Sequence, residues 1–343
     1  MGLRWRFELN LNNIKPENII RSLAGTVFYN NFMPQLLSPF LKLIRLPNLI
    51  FVVLTQVLFQ FCIYYPIYEG SIPQGDTLQF VLLVLASVFI AAAGYIINDY
   101  FDINIDMINK PGKMVLGKKL SRRWALAWHL ILSTLGIILT AVAVNPVARW
   151  YIIFANIGSV ILLWFYSARF KKDAIIGNVI VAVLTAWTIM IIFLSKYSFT
   201  DAFNDVTNEQ IQLFRFALLY SAFAFIISLI REAIKDIEDM PGDAKFGCKT
   251  LPILWGINAT KVYVAVWLTI IIAMLVITQI YVLQFRWWFA VVYCTIFIVA
   301  PLAYIFKKLF TASSTAHYRE LSNLSKLVMA TGILSMIFFY IYL

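Results

Sequence analysis

Residues that bind transition metals or form disulfides are scarce in this sequence. It contains two histidines, His129 and His317, and three cysteines in 343 residues. The cysteines, Cys62, Cys248 and Cys294, follow no metal-binding spacing and no disulfide framework. These absences exclude a histidine metal site and give no sign of a disulfide-stapled domain.

Charged residues are also scarce, at 13% of the chain, whereas 62% of the residues are hydrophobic and the mean hydropathy is +0.81. Soluble domains have about 45–50% apolar residues. Because so few polar side chains cannot cover a water-facing surface, the composition excludes an ordinary soluble domain and indicates a membrane protein. We therefore predict an all-α, polytopic bundle with one transmembrane domain over residues 41–343.

Nine apolar windows are long enough to cross a bilayer as helices. Polar and turn-forming residues separate them, such as the segment 69–73 and the dipeptide Asn145-Pro146. The predicted spans are roughly 46–66, 78–98, 124–144, 149–167, 175–196, 212–231, 259–283, 287–306 and 323–343.

The net charge is +11, and the basic residues are unevenly distributed between the connections. Of the 28 Lys and Arg residues, 24 fall on one set of alternate loops. This distribution indicates membrane topology and not nucleic-acid binding. By the positive-inside rule, the N-terminus is cytoplasmic and the C-terminus lies outside the inner membrane. Residues 1–40 lack a signal-peptide pattern and are predicted to be a cytoplasmic, interfacial segment with a short helix near Glu17–Tyr29.

Acidic residues are concentrated at the ends of two predicted spans, which hold eight of the 17 carboxylates. After span two, Asn98, Asp102 and Asp106 recur every four residues and share one helix face. After span six, a second row recurs at three or four residues, with Pro241-Gly242 expected to loosen the helix before the last member. This second row consists of Glu232, Asp236, Asp239 and Asp243.

Stacked carboxylates repel one another near lipid, so a compensating charge is required. Hard divalent cations with oxygen ligands provide it, and Mg²⁺ shares its coordination between carboxylates and phosphate oxygens. Both rows fall on the same predicted side of the membrane. The pattern therefore predicts a metal-bridged diphosphate held between the rows at the cytoplasmic edge, with its lipid tail in the hydrocarbon below.

The sequence NDxxDxxxD at residues 98–106, together with DxxxD at 239–243, resembles the UbiA superfamily of intramembrane prenyltransferases. The segments Arg45-Leu46-Pro47-Asn48, Tyr166-Ser167 and Gly177-Asn178 extend this resemblance over nearly the whole membrane domain. The run REAIKDIEDMPGDAKFGCKTLPI resembles in particular the branch that makes digeranylgeranylglyceryl phosphate.

The resemblance implies two Mg²⁺ ions, one held by Asn98, Asp102 and Asp106 and the other by Asp239 and Asp243. It implies that these four aspartates are catalytic. The residues expected to bind or support the diphosphate are Arg45, Asn48, Asp99, Lys113, Tyr166, Arg169, Lys171, Lys172 and Asp236.

The implied function is Mg²⁺-dependent transfer of a polyprenyl group from its diphosphate to a lipophilic acceptor, with release of pyrophosphate. The acceptor favoured by the branch resemblance is a prenylated glycerol phosphate, and the alternative is 4-hydroxybenzoate or a naphthoate. Alternatives of another class are a cation transporter, which usually carries ionisable residues mid-span, and a non-catalytic protein that binds isoprenoid lipids. No obligate protein partner is inferred.

Overall fold

The computed structural model describes residues 38–68, 72–109, 115–117, 120–197 and 207–343. Most of the predicted N-terminal segment, including the helix near Glu17–Tyr29, lies outside this part of the chain. Lys113 also lies outside it.

The described residues form nine apolar helices long enough to cross a membrane, as the sequence predicts. The only strands among them are two short ones, so the all-α prediction is confirmed. The helices are α1 Leu46–Ile67, α2 Asp76–Asn109, α3 Arg122–Ala143, α4 Trp150–Ala168, α5 Ile176–Ser195, α6 Asn208–Lys245, α7 Gly256–Leu283, α8 Trp288–Thr311 and α9 Thr315–Tyr342.

The prediction that α6 loosens at Pro241 is wrong, because the helix continues to Lys245. Pro241 lacks only one backbone donor, and this loss falls close to the end of the helix, where few further turns depend on it. The backbone carbonyl of Asp243 then accepts from Phe246 (3.2 Å) and Cys248 (3.1 Å), which ends the helix. All four carboxylates of the second row therefore stand on one continuous helix.

Helix packing brings the ends of α2 and α6 to the same end of the bundle. The α2–α3 and α5–α6 pairs make the most extensive contacts, and α9 packs along α6. A buried apolar cluster on α6 around Ile227 and Ile234 joins α6 to α7, α8 and α9. Another cluster, around Ile96 and Leu132, joins α2 to α3. Direct contacts between α2 and α6 then hold the two helices against each other.

A buried ion pair closes the opposite end of the bundle. The Lys196 ammonium lies 2.7 Å from Asp76, and both side chains are only 4% exposed. Gln60 donates a 2.6 Å hydrogen bond to the second Asp76 oxygen, and the Lys196 ammonium lies 4.3 Å from the centre of the Tyr64 ring. The pair thus ties α1, α2 and the end of α5 together.

Candidate active site

The carboxylate row of α2 begins with a chain of polar contacts along one helix face. The Asn98 amide donates to Asp102 Oδ2 at 2.9 Å, and the Lys171 ammonium from the α4–α5 connection binds Asp102 Oδ1. Asp106 follows one turn later, is half-buried and interacts with its surroundings. The structure therefore brings a predicted metal ligand and a predicted diphosphate ligand into direct contact.

Arg45 pairs with Asp99 beside this row. Its guanidinium donates to Asp99 at 2.7 Å and lies 5.3 Å from the centre of the Tyr95 ring. Burial disfavours the charge on Arg45, but the nearby Asp99 carboxylate outweighs it, so the pKa of Arg45 lies above its ordinary value. This ion pair links the start of α1 to α2 at the edge of the site.

The second row stands on α6 and is supported by α5. Asn178 donates to Asp236 at 2.9 Å, and Glu232 is flanked on its own helix by the cations Arg231 and Lys235. Asp239 lies within electrostatic range of Lys235 and of Arg319 on α9. The Asn178 contact explains the Gly-Asn dipeptide of the sequence, because the amide braces one carboxylate of the row.

Two residues, Tyr166 and Cys248, are each within electrostatic range of carboxylates from both rows. The Tyr166 hydroxyl is within electrostatic range of Asp102 on α2 and of Glu232 and Asp236 on α6.

Burial raises the pKa of the Cys248 thiol, and the next largest influences on it come from Asp243 and Lys172, followed by Asp102 and Lys171. Asp102 of the first row and Asp243 of the second row are therefore both within electrostatic range of Cys248.

A parallel strand pair holds the basic connection between α4 and α5 beside the segment that follows Cys248. The strands are β1 Asp173–Ala174 and β2 Lys249–Thr250, so the connection after α4 is hydrogen-bonded to the connection after α6. A Cβ on Gly177 would lie 2.8 Å from the Phe170 carbonyl oxygen and 3.0 Å from the Lys171 Cα. Glycine at position 177 is thus what lets the basic connection lie close against α5.

Three basic residues of this connection occupy different positions. Lys171 is on Asp102, and Lys172 is exposed within electrostatic range of Cys248. Arg169 is exposed at the end of α4, where its backbone N–H donates to the Phe165 carbonyl at 2.9 Å. Lys171 is therefore the one of the three that an ion pair fixes within the described residues.

A cavity of about 320 Å³ runs from the two rows into the bundle. Its charged end is lined by residues that include Arg45, Asn98, Tyr166 and Glu232, and its deeper part is lined mainly by apolar side chains. The deeper apolar side chains include Val52, Ile90, Leu163, Leu184, Phe223, Ile227, Met329 and Met336. A molecule with a charged head and a long apolar tail matches this polarity gradient.

Tyr220 forms part of the wall at the deep end of this cavity. The Tyr220 and Ser335 hydroxyls share a 2.9 Å hydrogen bond. A second, almost wholly apolar cavity of about 80 Å³ lies beyond, and Tyr220 and Phe223 line both cavities. These two side chains therefore separate the main cavity from a further apolar space.

The described residues contain no group of three or more His, Cys, Asp or Glu side chains that converges as a metal cage. Mg²⁺ does not require one, since it takes one or two carboxylates and shares its other positions with water and phosphate. Asp102 already carries a cationic partner, and the neighbouring oxygen donors of Asn98 and Asp106 stand on the same face. This donor set fits a hard divalent cation shared with a diphosphate.

Three cations of the cavity were not predicted as site residues, namely Arg231, Lys235 and Lys326. Lys326 projects from α9 and donates to Asn48 Oδ1 on α1 at 2.9 Å. The signal that could have indicated it is its position inside the predicted ninth span, where a charge is costly unless it serves a function.

Comparisons with known proteins match these features to one family. Residues 57–342 fit the model of the UbiA prenyltransferase family. A digeranylgeranylglyceryl phosphate synthase of Methanobrevibacter smithii is 29% identical over 224 residues, which are 64% of this chain and 70% of the relative. The corresponding synthase of Thermococcus sibiricus is 35% identical over 193 residues, which are 56% of this chain and 61% of the relative.

Solved structures share the fold. A digeranylgeranylglyceryl phosphate synthase structure superposes with a TM-score of 0.58 at 24% identity, covering 88% of this chain and 98% of the other. A UbiA homologue from Archaeoglobus fulgidus, bound to DMAPP and Mg²⁺, superposes with a TM-score of 0.53 at 18% identity, covering 87% and 98%. At these identities the likeness concerns the arrangement of the helices.

Proposed function

The chain belongs to the UbiA prenyltransferase family, and we propose that it transfers a polyprenyl group from its diphosphate to the hydroxyl of a prenylated glycerol phosphate, with release of pyrophosphate. The relatives named as digeranylgeranylglyceryl phosphate synthases support this acceptor. The proposal covers residues 41–343 as one transmembrane prenyltransferase domain.

The observation that carries the proposal is the larger cavity, which has a charged end and an apolar depth. Asn98 and Glu232, the first members of the two rows, line its charged end, while apolar side chains line most of the rest. A prenyl diphosphate has the same division between a multiply charged head and a hydrocarbon tail. The cavity therefore supports one orientation of the donor, with its diphosphate at the rows and its tail towards Tyr220.

We infer that Mg²⁺ serves the rows, with one ion at Asn98, Asp102 and Asp106 and a second at Asp239 and Asp243. The A. fulgidus homologue bound to DMAPP and Mg²⁺ supports a divalent metal. When bound, the metal neutralises negative charge on the diphosphate.

The protein contributes fixed positive charge to the same leaving group. Lys171 is held at the site by Asp102, and Lys172 lies near Asp243 through their common neighbour Cys248. Ammonium groups positioned before the reaction stabilise charge that grows on the departing oxygen without having to reorganise. We assign Lys171 and Lys172, together with Arg169 and Lys113, to binding of the diphosphate.

The cavity wall also suits an electron-poor allylic carbon. Aromatic faces attract cations, and the residues lining the cavity include Phe51, Tyr95, Tyr166, Trp187 and Phe223. The surrounding apolar side chains limit the access of water, which would otherwise compete with the acceptor hydroxyl. Tyr166, within electrostatic range of both rows, is our candidate for contact with the reacting end of the donor.

We infer that the rows face the cytoplasm in an inner membrane. The basic connections α2–α3, α4–α5 and α6–α7 share the end of the bundle that carries the rows, and the positive-inside rule places such loops in the cytoplasm. Nine spans then place the C-terminus outside. Labelling of introduced cysteines from each side of sealed vesicles tests this orientation.

An acceptor panel tests the function. Purified protein in detergent receives labelled geranylgeranyl diphosphate, Mg²⁺ and either a prenylated glycerol phosphate, 4-hydroxybenzoate or a naphthoate, with products read by mass spectrometry. The proposal expects one new ether product with the glycerol phosphate and an equal amount of pyrophosphate. Prenylated aromatic product instead would reject the proposed acceptor, and the absence of any pyrophosphate release would reject catalysis.

A further inference from the structure

The charged end of the cavity contains more positive charge than its own ion pairs neutralise. Four cations line the cavity, and two carboxylates are paired with three of them. The cations are Arg45, Arg231, Lys235 and Lys326, and the carboxylates are Asp99, paired with Arg45, and Glu232, paired with Arg231 and Lys235. The ion pairs of the described residues therefore leave one cavity-lining cation, Lys326, without a carboxylate.

Lys326 is the cation of this group that lacks a carboxylate partner among the described residues. Its ammonium is instead held by the neutral Asn48 side chain at 2.9 Å and lies 5.4 Å from the centre of the Phe51 ring. The charged side chains with the largest influence on it are Arg231 and Arg45, which are like charges. A partly buried ammonium beside two guanidinium groups is costly, and a bound anion would offset that cost.

The surroundings of Lys326 differ from those of the proposed diphosphate end. The charged groups that most influence Cys248 are Asp243, Lys172, Asp102 and Lys171, whereas those around Lys326 are Arg231 and Arg45. Tyr166 is within electrostatic range of Asp102 and also of Arg45. The cavity thus offers a second place for an anion, against α1 and α9.

We propose that Lys326, with Arg231 beside it, binds the phosphate monoester of the acceptor. This inference rests on the proposed function, because it needs an acceptor that carries a phosphate. A phosphate monoester carries about 1.5 to 2 negative charges at neutral pH, so it suits an ammonium that has no carboxylate partner and has guanidinium groups close by. Asn48 acts as a positioning residue, since it holds the Lys326 ammonium in the cavity.

The subsite also gives a reason for two separate anion positions. The donor head is neutralised at the rows, and the acceptor head is neutralised at Lys326, so two anionic lipids can enter one cavity without repelling each other strongly. Selection of a phosphorylated acceptor follows from the charge of the subsite and not from the shape of the acceptor tail.

A comparison of two acceptors and two proteins tests the subsite. The acceptors are geranylgeranylglyceryl phosphate and the same lipid with a hydroxyl in place of the phosphate, and the proteins are the wild type and Lys326→Met. We expect the wild type to lose about 10- to 100-fold in kcat/KM when the phosphate is removed. Lys326→Met should lose a similar factor with the phosphorylated acceptor and little with the other, while the KM of the prenyl diphosphate stays unchanged.

Matched variants separate the subsite from a structural effect. Lys326→Arg should retain most of the acceptor affinity. Lys326→Gln can still hydrogen-bond to Asn48 but has no charge, so it should lose acceptor affinity as Lys326→Met does. It also keeps the test valid if the methionine variant folds poorly. Lys308→Met is the control, because Lys308 pairs with Glu320 on the exposed surface. Thermal unfolding in detergent verifies that each variant is folded.

The possible failures are distinguishable. If the wild type uses the phosphorylated acceptor and Lys326→Met and Lys326→Gln match it, the subsite is rejected and the proposed function stands. If these variants raise the KM of the prenyl diphosphate instead, Lys326 serves the donor and the subsite is also rejected. If the wild type prenylates only aromatic acceptors, the proposed function and the subsite are both rejected.

Discussion

The Lys171 ammonium rests on the Asp102 carboxylate, although 69 positions separate the two residues in the chain. Their side chains are only 10% and 16% exposed. The pair connects the basic α4–α5 connection to the acidic end of α2. It also means that a divalent ion approaching Asp102 meets an internal cation that competes for the same oxygen.

Lys171→Met should therefore separate metal binding from turnover. Without the competing ammonium, we expect tighter binding of Mn²⁺, used as a spectroscopic substitute for Mg²⁺, in the absence of any diphosphate. Turnover should fall because a fixed positive charge near the leaving group is lost. Electron paramagnetic resonance titration and pyrophosphate release measure the two effects, with Lys308→Met as the control. Unchanged Mn²⁺ affinity in Lys171→Met would show that the Lys171 ammonium does not compete with the metal ion for Asp102.

Asp102→Asn and Asp239→Asn should each reduce turnover by at least about 100-fold, since each removes a charged metal ligand that only the reaction needs. The fold should persist, because an amide fills the same space and its carbonyl oxygen at position 102 can still accept a hydrogen bond from Lys171. Pyrophosphate release and thermal unfolding are the measurements. Glu320→Gln, on the exposed surface, serves as the matched control. Turnover near the wild-type rate in either aspartate variant contradicts the site assignment.

Gly177→Ala should impair the enzyme by displacing the basic connection. The added Cβ would approach the Phe170 carbonyl oxygen to 2.8 Å, so the segment that carries Lys171 must shift. We expect a loss of about 1–3 kcal/mol in stability and a higher KM for the prenyl diphosphate. Gly158→Ala on α4 is the control, because within the described part of the chain a Cβ added at Gly158 would meet nothing within 4 Å. Equal behaviour of the two variants would refute the steric argument.

Tyr220→Ala should extend the range of donor tails. Removing the ring joins the main cavity of about 320 Å³ to the apolar cavity of about 80 Å³ beyond it. We expect longer prenyl diphosphates to gain in kcat/KM relative to shorter ones, measured in direct competition by mass spectrometry. Tyr220→Phe loses only the hydrogen bond to Ser335 and should keep the wild-type preference. A similar change of preference in both variants would assign the effect to loosened packing.

Lys196→Met should destabilise the end of the bundle remote from the acidic rows. It leaves Asp76 buried without its cation, which typically costs about 3–5 kcal/mol. The double variant Asp76→Leu with Lys196→Met should recover part of that loss, because no unpaired charge remains. Thermal unfolding measures both, while the KM of the prenyl diphosphate should not change. A double variant less stable than the single one would contradict this explanation.

The residue pattern was sufficient to predict the spans and the two rows. Hydropathy indicates a helix long enough to cross a bilayer, and a spacing of four residues places Asn98 and Asp102 on one face regardless of what packs against it. Partners from distant helices could not be predicted in this way. Lys326 and Asn48 are 278 positions apart, and their contact depends on α9 packing beside α1. The local preference of Pro241 favours the end of a helix, but its position close to the helix end leaves few hydrogen bonds for it to disrupt.

The two helices that carry the rows are much longer than a bilayer core is thick. At 1.5 Å per residue, the 34 residues of α2 and the 38 residues of α6 span about 51 and 57 Å, against about 30 Å of hydrocarbon. An average tilt of about 20° shortens these lengths by only about 6%. Helices of this length can carry the rows to the height of the lipid headgroups. Under the proposed function, hydrated ions and released pyrophosphate could exchange with water there while the prenyl chains stay in the hydrocarbon.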